Sequence, residues 1–262
     1  MKNTFKNWLA ALLLAAPMSM AVAAGGHANY EKVDIDLGDQ VSLQRGAQIF
    51  TNYCLSCHSA TGMRFNRLQD IGLTEDEIKK NLMFTTDKVG DVMQAAMTPT
   101  EGKKWFGAAP PDLTLIARSR GADYLYAYLR GFYQDPTRPT GWNNTVFDKV
   151  GMPHPLWEQQ GVKAVELDKD GQPVWEKDEH GNLVPKLYWE STGLHSRRLP
   201  NGKVIEKEYD DYVRDLVNYM VYMGEPAQMQ RKQIGYIVLI FLLAVMLPLA
   251  YFLKKEYWKD VH

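Results

Sequence analysis

Apolar side chains recur at helical spacing in four segments of this chain. In the first, "LQRGAQIFTNYCLSC", they fall at Leu43, Ala47, Ile49, Phe50 and Tyr53. This spacing is close to the period of a helix with one buried face. We therefore predict a helix here, with the two cysteines of the segment at its end.

The other three segments have helical patterns with recognisable ends. "TEDEIKKNLM" begins with Thr74 and carries Glu77 three residues later, which is the pattern of a capping box. The segments "GADYLYAYLRGFY" and "YDDYVRDLVNYMVYMGEP" are also periodic, and Gly224 and Pro226 would end the second. Together the four segments predict a mainly helical body.

The pattern changes between about Gly161 and Glu208. The stretches "DKDGQ", "DEHGN" and "PNGK" are typical of tight hairpin turns, and they alternate with short runs such as "QPVW" and "KLYW". We predict that residues 161–208 form a small β-hairpin insertion in the helical domain.

A long apolar segment lies near the C-terminus. Residues Ile234–Leu253 contain no charged side chain, and a helix of about 20 residues spans the ~30 Å hydrocarbon core of a bilayer. Basic residues flank both ends and aromatic residues lie where the membrane interfaces would be. A buried core helix would be shorter and less uniformly apolar. We predict a transmembrane anchor within residues 231–262, followed by a short cytoplasmic tail.

The N-terminus has the pattern of a secretory signal peptide. Lys2 and Lys6 precede a short apolar run, and Ala21 and Ala23 supply an Ala-x-Ala cleavage pattern. The run is about half the length that a membrane-spanning helix needs, which disfavours an anchor. We predict that residues 1–23 are a signal peptide and that residues 24–230 form an exported domain.

Charge adds two expectations. The formal net charge is -1, and loss of the two signal-peptide lysines makes it -3, which argues against nucleic acid as a partner. Between Glu158 and Glu190 there are eight acidic residues against four lysines. This excess either steers a basic partner towards the insertion or is simply a solvated surface.

The two cysteines are the strongest chemical signal. Cys54 and Cys57 are the only cysteines, and His58 follows them directly. A disulfide, a thioredoxin-like dithiol and a structural zinc site are the alternatives to covalent haem attachment. A thioredoxin-like pair calls for strands on both sides of the motif, and a zinc site calls for four ligands. The pattern Cys-x-x-Cys-His instead predicts thioether bonds from both sulfurs to haem and an iron ligand in His58.

The second axial ligand is less well defined by the sequence. The candidates are Met83, Met93, Met97, Met152 and His154. A methionine thioether would close the iron site and raise its potential, which suits electron transfer. An open position would admit gases or peroxide.

Met152 is favoured by its context, "DKVGMPHPLW". Gly151 permits close approach of the backbone, and Pro153 and Pro155 stiffen the segment that presents the sulfur. An ordinary buried methionine and ligation by His154 remain open on this pattern.

Four stretches of the sequence resemble the cytochrome c1 family, the haem subunit of the cytochrome bc1 complex (ubiquinol-cytochrome c reductase). They are "QRGAQIFTNYCLSCHS", "WFGAAPPDLTLIARSRGADYLYAYLRGFY", "VGMPHPLW" and a "YMGEP" helix that leads into one anchor with a basic tail. The first is typical of any c-type cytochrome, whereas the set in this order is specific to the family. The resemblance implies a mainly α, cytochrome c-like haem domain with a small β-hairpin insertion and one C-terminal transmembrane helix.

The resemblance also implies roles for particular residues. Met152 would be the distal iron ligand, and a carbonyl of Pro110 or Pro111 would accept the Nδ1 proton of His58, which orients the ring and raises its basicity. The bound cofactor would be one haem c.

A further implication concerns the haem propionates. Arg120 would lie beside a propionate, with Arg118 and Tyr124 nearby, although a solvated surface is the alternative for the arginines. The chain has no further cysteines, so a disulfide found in some bacterial relatives is missing here. Residues 161–208 match the family least well.

The implied function is a one-electron relay with no catalytic residues of its own. The chain would carry electrons from the Rieske iron-sulfur protein to a periplasmic cytochrome c, beside cytochrome b and membrane lipid, in a dimeric complex. It would cross the bacterial inner membrane once, with the haem domain in the periplasm and the C-terminus in the cytoplasm. The alternatives are a tethered haem sensor or peroxidase with an open iron position, and an independent tethered electron shuttle.

Overall fold

The structure is a computed structural model that describes residues 29–259. The predicted signal peptide, residues 1–23, lies outside the described residues. The helices are α1 (Gln40–Ile49), α2 (Glu75–Asn81), α3 (Pro99–Phe106), α4 (Ile116–Arg120), α5 (Ala122–Arg130), α6 (Trp157–Gln160), α7 (Lys207–Gly224), α8 (Gln228–Phe241) and α9 (Leu247–Tyr257). The strands are β1 (Ala60–Arg64), β2 (Val92–Met93), β3 (Phe132–Gln134), β4 (Trp142–Asn144), β5 (Gly161–Val165), β6 (Trp175–Lys177), β7 (Leu183–Pro185), β8 (Leu187–Thr192), β9 (Arg197–Arg198) and β10 (Val204–Ile205).

The helical core forms where α1, α4 and α5 pack on α7. The sequence patterns predict helices at α1, α2, α5 and α7, and the structure confirms all four. The capping box of α2 is also confirmed, because the Thr74 hydroxyl accepts from the Glu77 amide while the Glu77 carboxylate accepts from the Thr74 amide. Helix α3 was not predicted, although Thr98 and Glu101 form the same capping box in front of it.

Helices α1 and α7 approach each other very closely at Gly46. A Cβ at this position would overlap the backbone carbonyl of Asp215 and the Tyr219 side chain. Nearby, the buried Asp215 carboxylate accepts hydrogen bonds from Ser42 Oγ at 2.7 Å and from Arg45 Nε at 2.5 Å. Because a buried carboxylate needs such partners, these contacts fix the register of the two helices.

We expect Gly46→Ala to destabilise the folded domain by about 1–3 kcal/mol, the usual range for inserting a methyl group into a packed interior. Thermal unfolding of the detergent-solubilised protein would measure the loss. Gly90→Ala is the matched control, since no atom lies within 4 Å of the added methyl group there. Equal stability of the two variants would contradict the close approach of α1 and α7.

The strands form small sheets. The largest has the order β4-β3-β5-β8, in which β3 and β5 are parallel and the other pairs antiparallel. Hairpins β6-β7 and β9-β10 lie inside residues 161–208. The predicted hairpin insertion is therefore present, but its strands β5 and β8 form a sheet with β3 and β4, which lie before the insertion in the chain. Sequence patterning did not predict β3 and β4.

The predicted anchor is a 30-residue helix, Gln228–Tyr257, formed by α8, α9 and a wider turn between them. It is the one helix among residues 29–259 that is long and apolar enough to cross a membrane, and its apolar stretch is not buried against the rest of the protein. In the wider turn the Leu247 amide donates to the Leu242 carbonyl, five residues back. Pro248 follows at the start of α9, and such turns relieve the clash of a proline ring with the preceding carbonyls.

Candidate functional site

The Cys-x-x-Cys-His segment continues directly from α1. The helix widens over Phe50–Cys54, where the Leu55 amide donates to the Phe50 carbonyl at 3.0 Å. The Thr51 hydroxyl donates to the Ala47 carbonyl at 3.0 Å, four residues back in the helix. Hydrogen bonds of this kind, from a threonine side chain to a helical carbonyl, bend helices locally. Wide turns of this kind often occur at functional sites.

The two cysteines lie on one tight turn. The amides of Cys57 and His58 both donate to the Cys54 carbonyl, at 3.1 and 2.8 Å. Neither thiol is in a disulfide; Cys54 is buried and Cys57 is half-buried. Burial, with a smaller contribution from Cys57, raises the pKa of Cys54 to about 12. A redox-active dithiol instead needs a lowered pKa, so the geometry does not favour thioredoxin-like chemistry.

The imidazole of His58 is oriented by a hydrogen bond to the backbone of Pro111. Its Nδ1 lies 2.7 Å from the carbonyl oxygen of Pro111, so Nδ1 carries the proton and donates. Burial lowers the pKa of His58, an effect that the Pro111 hydrogen bond and the charge of Asp112 oppose without overcoming. The ring is therefore neutral near pH 7, and its Nε2 makes no hydrogen bond to any residue in the described part of the chain. This is the arrangement of an imidazole that is ready to bind a metal.

The backbone around Pro111 is fixed to the cysteine segment. The Leu113 amide donates to the Ser59 carbonyl at 2.8 Å, and the Asp112 carboxylate accepts from Thr61 at 2.8 and 2.9 Å. Burial raises the pKa of Asp112, but hydrogen bonds from Thr114 and Thr61 outweigh this and hold the pKa below its usual value. An ionised Asp112 thus keeps the Pro111 carbonyl in place. Of the two predicted prolines, Pro111 contacts His58.

Met152 lies half-buried in the loop between β4 and α6. Its sulfur accepts a hydrogen bond from the Tyr128 hydroxyl of α5 at 3.5 Å. A Cβ on the preceding Gly151 would come within 3.0 Å of the Phe106 carbonyl at the end of α3. Helix α3 leads into the Pro110–Pro111 segment, whose Pro111 carbonyl accepts from His58. The loop of Met152 therefore lies against the helix that comes just before this segment.

His154 is not available as a ligand in this conformation. Its Nε2 lies 2.9 Å from the Gln160 Oε1, and its Nδ1 accepts from the Leu156 amide at 3.4 Å. The ring is buried and stacks on Phe132 at 4.7 Å. Burial lowers the pKa of His154 to about 3, although the bond to Gln160 opposes this. His154 therefore supports the loop as a neutral side chain.

The other methionine candidates have different surroundings. Met93 is fully buried in the core, where its sulfur accepts from the Tyr219 hydroxyl at 3.5 Å. Met83 is partly buried against the same core. Met97 lies beside the cysteine turn, since its amide donates to the Ser56 carbonyl at 3.1 Å.

The predicted propionate residues lie on α4 and α5. The Arg120 guanidinium lies over the Tyr124 ring, 5.5 Å from its centre, and has no carboxylate partner within the described residues. Arg118 instead forms an ion pair of 3.5 Å with Glu225. Of these two arginines, Arg120 is therefore the one without a carboxylate partner among the described residues, and its contact with a propionate stays a prediction.

A direct contact joins the cysteine segment to the chain beyond Met152. Gln159 Nε2 donates to the Tyr53 hydroxyl at 2.6 Å. Tyr53 precedes Cys54, and Gln159 belongs to α6, which follows the Met152 loop. Sequence reasoning missed this contact, Tyr128 and the supporting asparagines Asn143 and Asn144, because no local motif marks them.

The residues present fit a covalently bound haem. Two thiols lie three residues apart on one turn, and an imidazole follows with its Nδ1 satisfied and its Nε2 unbonded. Within residues 29–259, no group of three or more His, Cys, Asp or Glu side chains is arranged to hold a bare metal ion. The donor set is thus that of a c-type haem rather than of a closed zinc site.

The described residues define a class, a protein with a c-type haem motif and one apolar helix long enough to cross a membrane, and sequence comparison identifies the family. The Cytochrome C1 family matches residues 34–206 and 201–261. The chain belongs to this family, whose members are membrane-anchored and carry haem c.

Two curated relatives cover nearly the whole chain. One is named "Ammonia monooxygenase gamma subunit", from Nitrosomonas europaea, with 48% identity over 95% of this chain and 96% of that protein. The other is named "Cytochrome c1", from Allochromatium vinosum, with 45% identity over 97% of this chain and 98% of that protein. A solved structure, "Hyperthermophilic respiratory Complex III", aligns over 99% of this chain and 98% of its own, with a TM-score of 0.45 and 13% identity.

Proposed function

We propose that this chain binds one haem c through thioether bonds to Cys54 and Cys57, with His58 and Met152 as the axial iron ligands. The strongest support is the His58 ring, whose Nδ1 donates to the Pro111 carbonyl at 2.7 Å while its Nε2 is left for the metal. When bound, haem c supplies a one-electron Fe(III)/Fe(II) couple.

The protein's own residues determine how that couple behaves. The Pro111 carbonyl fixes the tautomer and orientation of His58 and makes it a better donor. The stacked rings of Phe132 and His154 brace the loop of Met152. A rigid pair of ligands keeps the geometry similar in both oxidation states, which favours rapid electron transfer. Arg120, beside Tyr124, would offset the charge of a propionate.

In the cell, we propose that the chain is the cytochrome c1 subunit of a respiratory ubiquinol-cytochrome c reductase. It would relay single electrons from the Rieske iron-sulfur protein to a periplasmic cytochrome c, next to cytochrome b in a dimeric complex. Family membership and the relative named cytochrome c1 support this role.

The same proposal gives the membrane arrangement. Residues 1–23 would be removed as a signal peptide, residues 24–230 would lie in the periplasm, and the anchor within residues 231–262 would cross the inner membrane once. The 30-residue apolar helix supports the anchor.

The proposal is tested by purifying the protein from its native membranes in mild detergent. We expect haem that stays attached after denaturation, a methionine-to-iron charge-transfer band in the oxidised protein, and copurification with cytochrome b and the Rieske protein. Carbon monoxide binding to the reduced protein at neutral pH would instead support a haem sensor or peroxidase. Purification of the loaded protein without partners would support an independent shuttle.

A second candidate role follows from the relative named "Ammonia monooxygenase gamma subunit", which is 48% identical to this chain. On this alternative the haem site is the same, but the chain associates with an ammonia monooxygenase. The copurification experiment separates the two roles, because the partner proteins recovered with the chain differ.

The acidic insertion gives a further prediction about the electron acceptor. Glu176, Glu179 and Glu190 are exposed and have no ion pair among the described residues, whereas Glu166 is paired with Lys186 at 2.8 Å. If the free acids steer a basic cytochrome c, replacing all three by Gln should slow its reduction about threefold to tenfold at low salt.

Stopped-flow reduction of cytochrome c at several ionic strengths would measure the effect. The matched control removes three acidic charges elsewhere, with Asp34→Asn, Asp36→Asn and Asp87→Asn, since these acids are also exposed and have no ion pair among the described residues. A rate that is insensitive to both salt and the insertion variant would show that the insertion is only a solvated surface.

A further inference from the structure

Among the described residues, the sulfur of Met152 has one polar contact, with the Tyr128 hydroxyl. The Tyr128 hydroxyl lies 3.5 Å from the sulfur, within the range for a hydrogen bond to a thioether. A thioether carries lone pairs and no proton, so the hydroxyl must be the donor. The bond to the Met152 sulfur is the one hydrogen bond that this hydroxyl makes within residues 29–259.

The Tyr128 ring is held by its aromatic neighbours. It stacks on Tyr124 with ring centres 5.9 Å apart and meets the edge of Phe132 at 5.3 Å. These contacts involve the ring faces and not the hydroxyl. Removal of the hydroxyl alone should therefore leave the ring in place.

The loop that carries Met152 is held by other residues. Asn143 Nδ2 donates to Asp135 and Asp148, both at 3.0 Å, while its Oδ1 accepts from the Lys149 amide at 2.8 Å. Asn144 Nδ2 donates to the Tyr128 backbone carbonyl at 2.8 Å. Contacts other than the bond from the hydroxyl to the sulfur therefore hold α5 and the Met152 loop together, so loss of that one bond should leave both elements in place.

The hydroxyl keeps its proton. Burial raises the pKa of Tyr128 well above its usual value, and the neighbouring Tyr124 adds to the increase. The ordinary pKa of a tyrosine hydroxyl is already about 10, so the donor is present at neutral pH whatever the size of this increase.

We infer that Tyr128 is a positioning residue that tunes the axial ligand Met152 through this hydrogen bond. The inference rests on the proposed function, in which Met152 binds the iron. A donor at the sulfur withdraws electron density from it and weakens its donation to iron. Fe(III) depends on that donation more than Fe(II) does, so the hydrogen bond favours the reduced state and raises the midpoint potential.

The test is Tyr128→Phe in the haem-loaded, full-length protein. A net hydrogen bond of about 0.5–1.5 kcal/mol changes an equilibrium roughly threefold to tenfold, and a thioether acceptor belongs at the lower end. We therefore expect the reduction equilibrium to shift about threefold towards the oxidised state, which is ~30 mV for a one-electron couple. The methionine-to-iron band should remain, because the ligand itself is unchanged.

Tyr126→Phe is the matched control. Tyr126 lies on the same helix α5, but its ring lies beneath the Arg130 guanidinium, 4.6 Å away, and its hydroxyl has no hydrogen-bond partner among the described residues. The reduction equilibrium should not change in this variant. A shift of the same size as in Tyr128→Phe would indicate a general structural effect and overturn the inference.

A second variant covers the case in which Tyr128→Phe is poorly folded. Fluorotyrosine introduced at position 128 retains the ring and the hydroxyl but is a stronger hydrogen-bond donor, so the equilibrium should shift towards the reduced state. Opposite shifts in the two variants would support the inference, and no shift in either would overturn it.

The assignment of Met152 as the iron ligand and the role of Tyr128 can be refuted by different results. If the wild-type protein lacked a methionine-to-iron band, Met152 would not be the ligand and both the ligand assignment and this inference would be wrong. If the band were present in the wild type and in Tyr128→Phe with identical potentials, only the role of Tyr128 would be lost.

Discussion

Replacing Met152 with leucine is expected to abolish the methionine-to-iron charge-transfer band and to lower the midpoint potential by on the order of 0.1 V or more. Axial ligands set haem potentials over a range of ~0.8 V, and loss of a thioether removes the ligand that favours Fe(II). Leucine has nearly the volume of methionine, so the loop should still fold. Redox titration and absorption spectra of the purified protein would measure both effects.

The matched control is Met97→Leu. The Met97 amide donates to the Ser56 carbonyl beside the cysteine turn, and the Met97 side chain is partly buried. This variant should keep the band and the potential of the wild type. Retention of the band in Met152→Leu, with its loss in Met97→Leu, would move the iron ligand to Met97.

Replacing both Cys54 and Cys57 with alanine is expected to remove all haem that resists denaturation. Each single variant should retain one thioether and therefore a reduced amount of covalent haem. Cys57 is the more accessible of the two thiols, whereas Cys54 is buried at the end of the widened turn. Haem staining of denatured protein after electrophoresis, in a host that makes c-type cytochromes, would measure the attachment.

Asn52→Ala is the control for the cysteine variants, since Asn52 is exposed on the widened turn two residues before Cys54. It should carry the wild-type amount of covalent haem. If the double cysteine variant still stained like the wild type, covalent attachment at this motif would be ruled out.

Local features of the sequence predicted the parts of the fold that local forces determine. The apolar period of α1, α5 and α7 and the Thr74–Glu77 capping box each act within one or two helical turns, so one segment of sequence contains the whole signal. The wide turn at Phe50–Cys54 and the strands β3 and β4 were not predictable in this way. Strand β3 is stabilised by pairing with β5, which begins 27 residues after β3 ends.

The residues of the candidate site also fall into two groups, those that a local motif identifies and those that only the fold brings together. Cys54, Cys57 and His58 are consecutive positions of one motif, so their chemistry could be read directly from the sequence. The choice of Pro111 over Pro110 depends on which carbonyl meets Nδ1 of His58, 53 residues earlier in the chain. The exclusion of His154 depends on its bonds to Leu156 and Gln160 in the folded loop. The local pattern favoured Met152 and the family resemblance strengthened that prediction, whereas no local pattern indicated Tyr128.

The sequence alone predicts the helical body, the hairpin insertion, the apolar anchor and the thiol–imidazole motif, because each depends on residues close together in the chain. The folded protein was needed to show which carbonyl holds His58, which side chains support the loop of Met152, and which hydroxyl meets its sulfur. Those choices depend on contacts between residues distant in sequence, and such contacts exist only after α1, α5 and α7 have packed together.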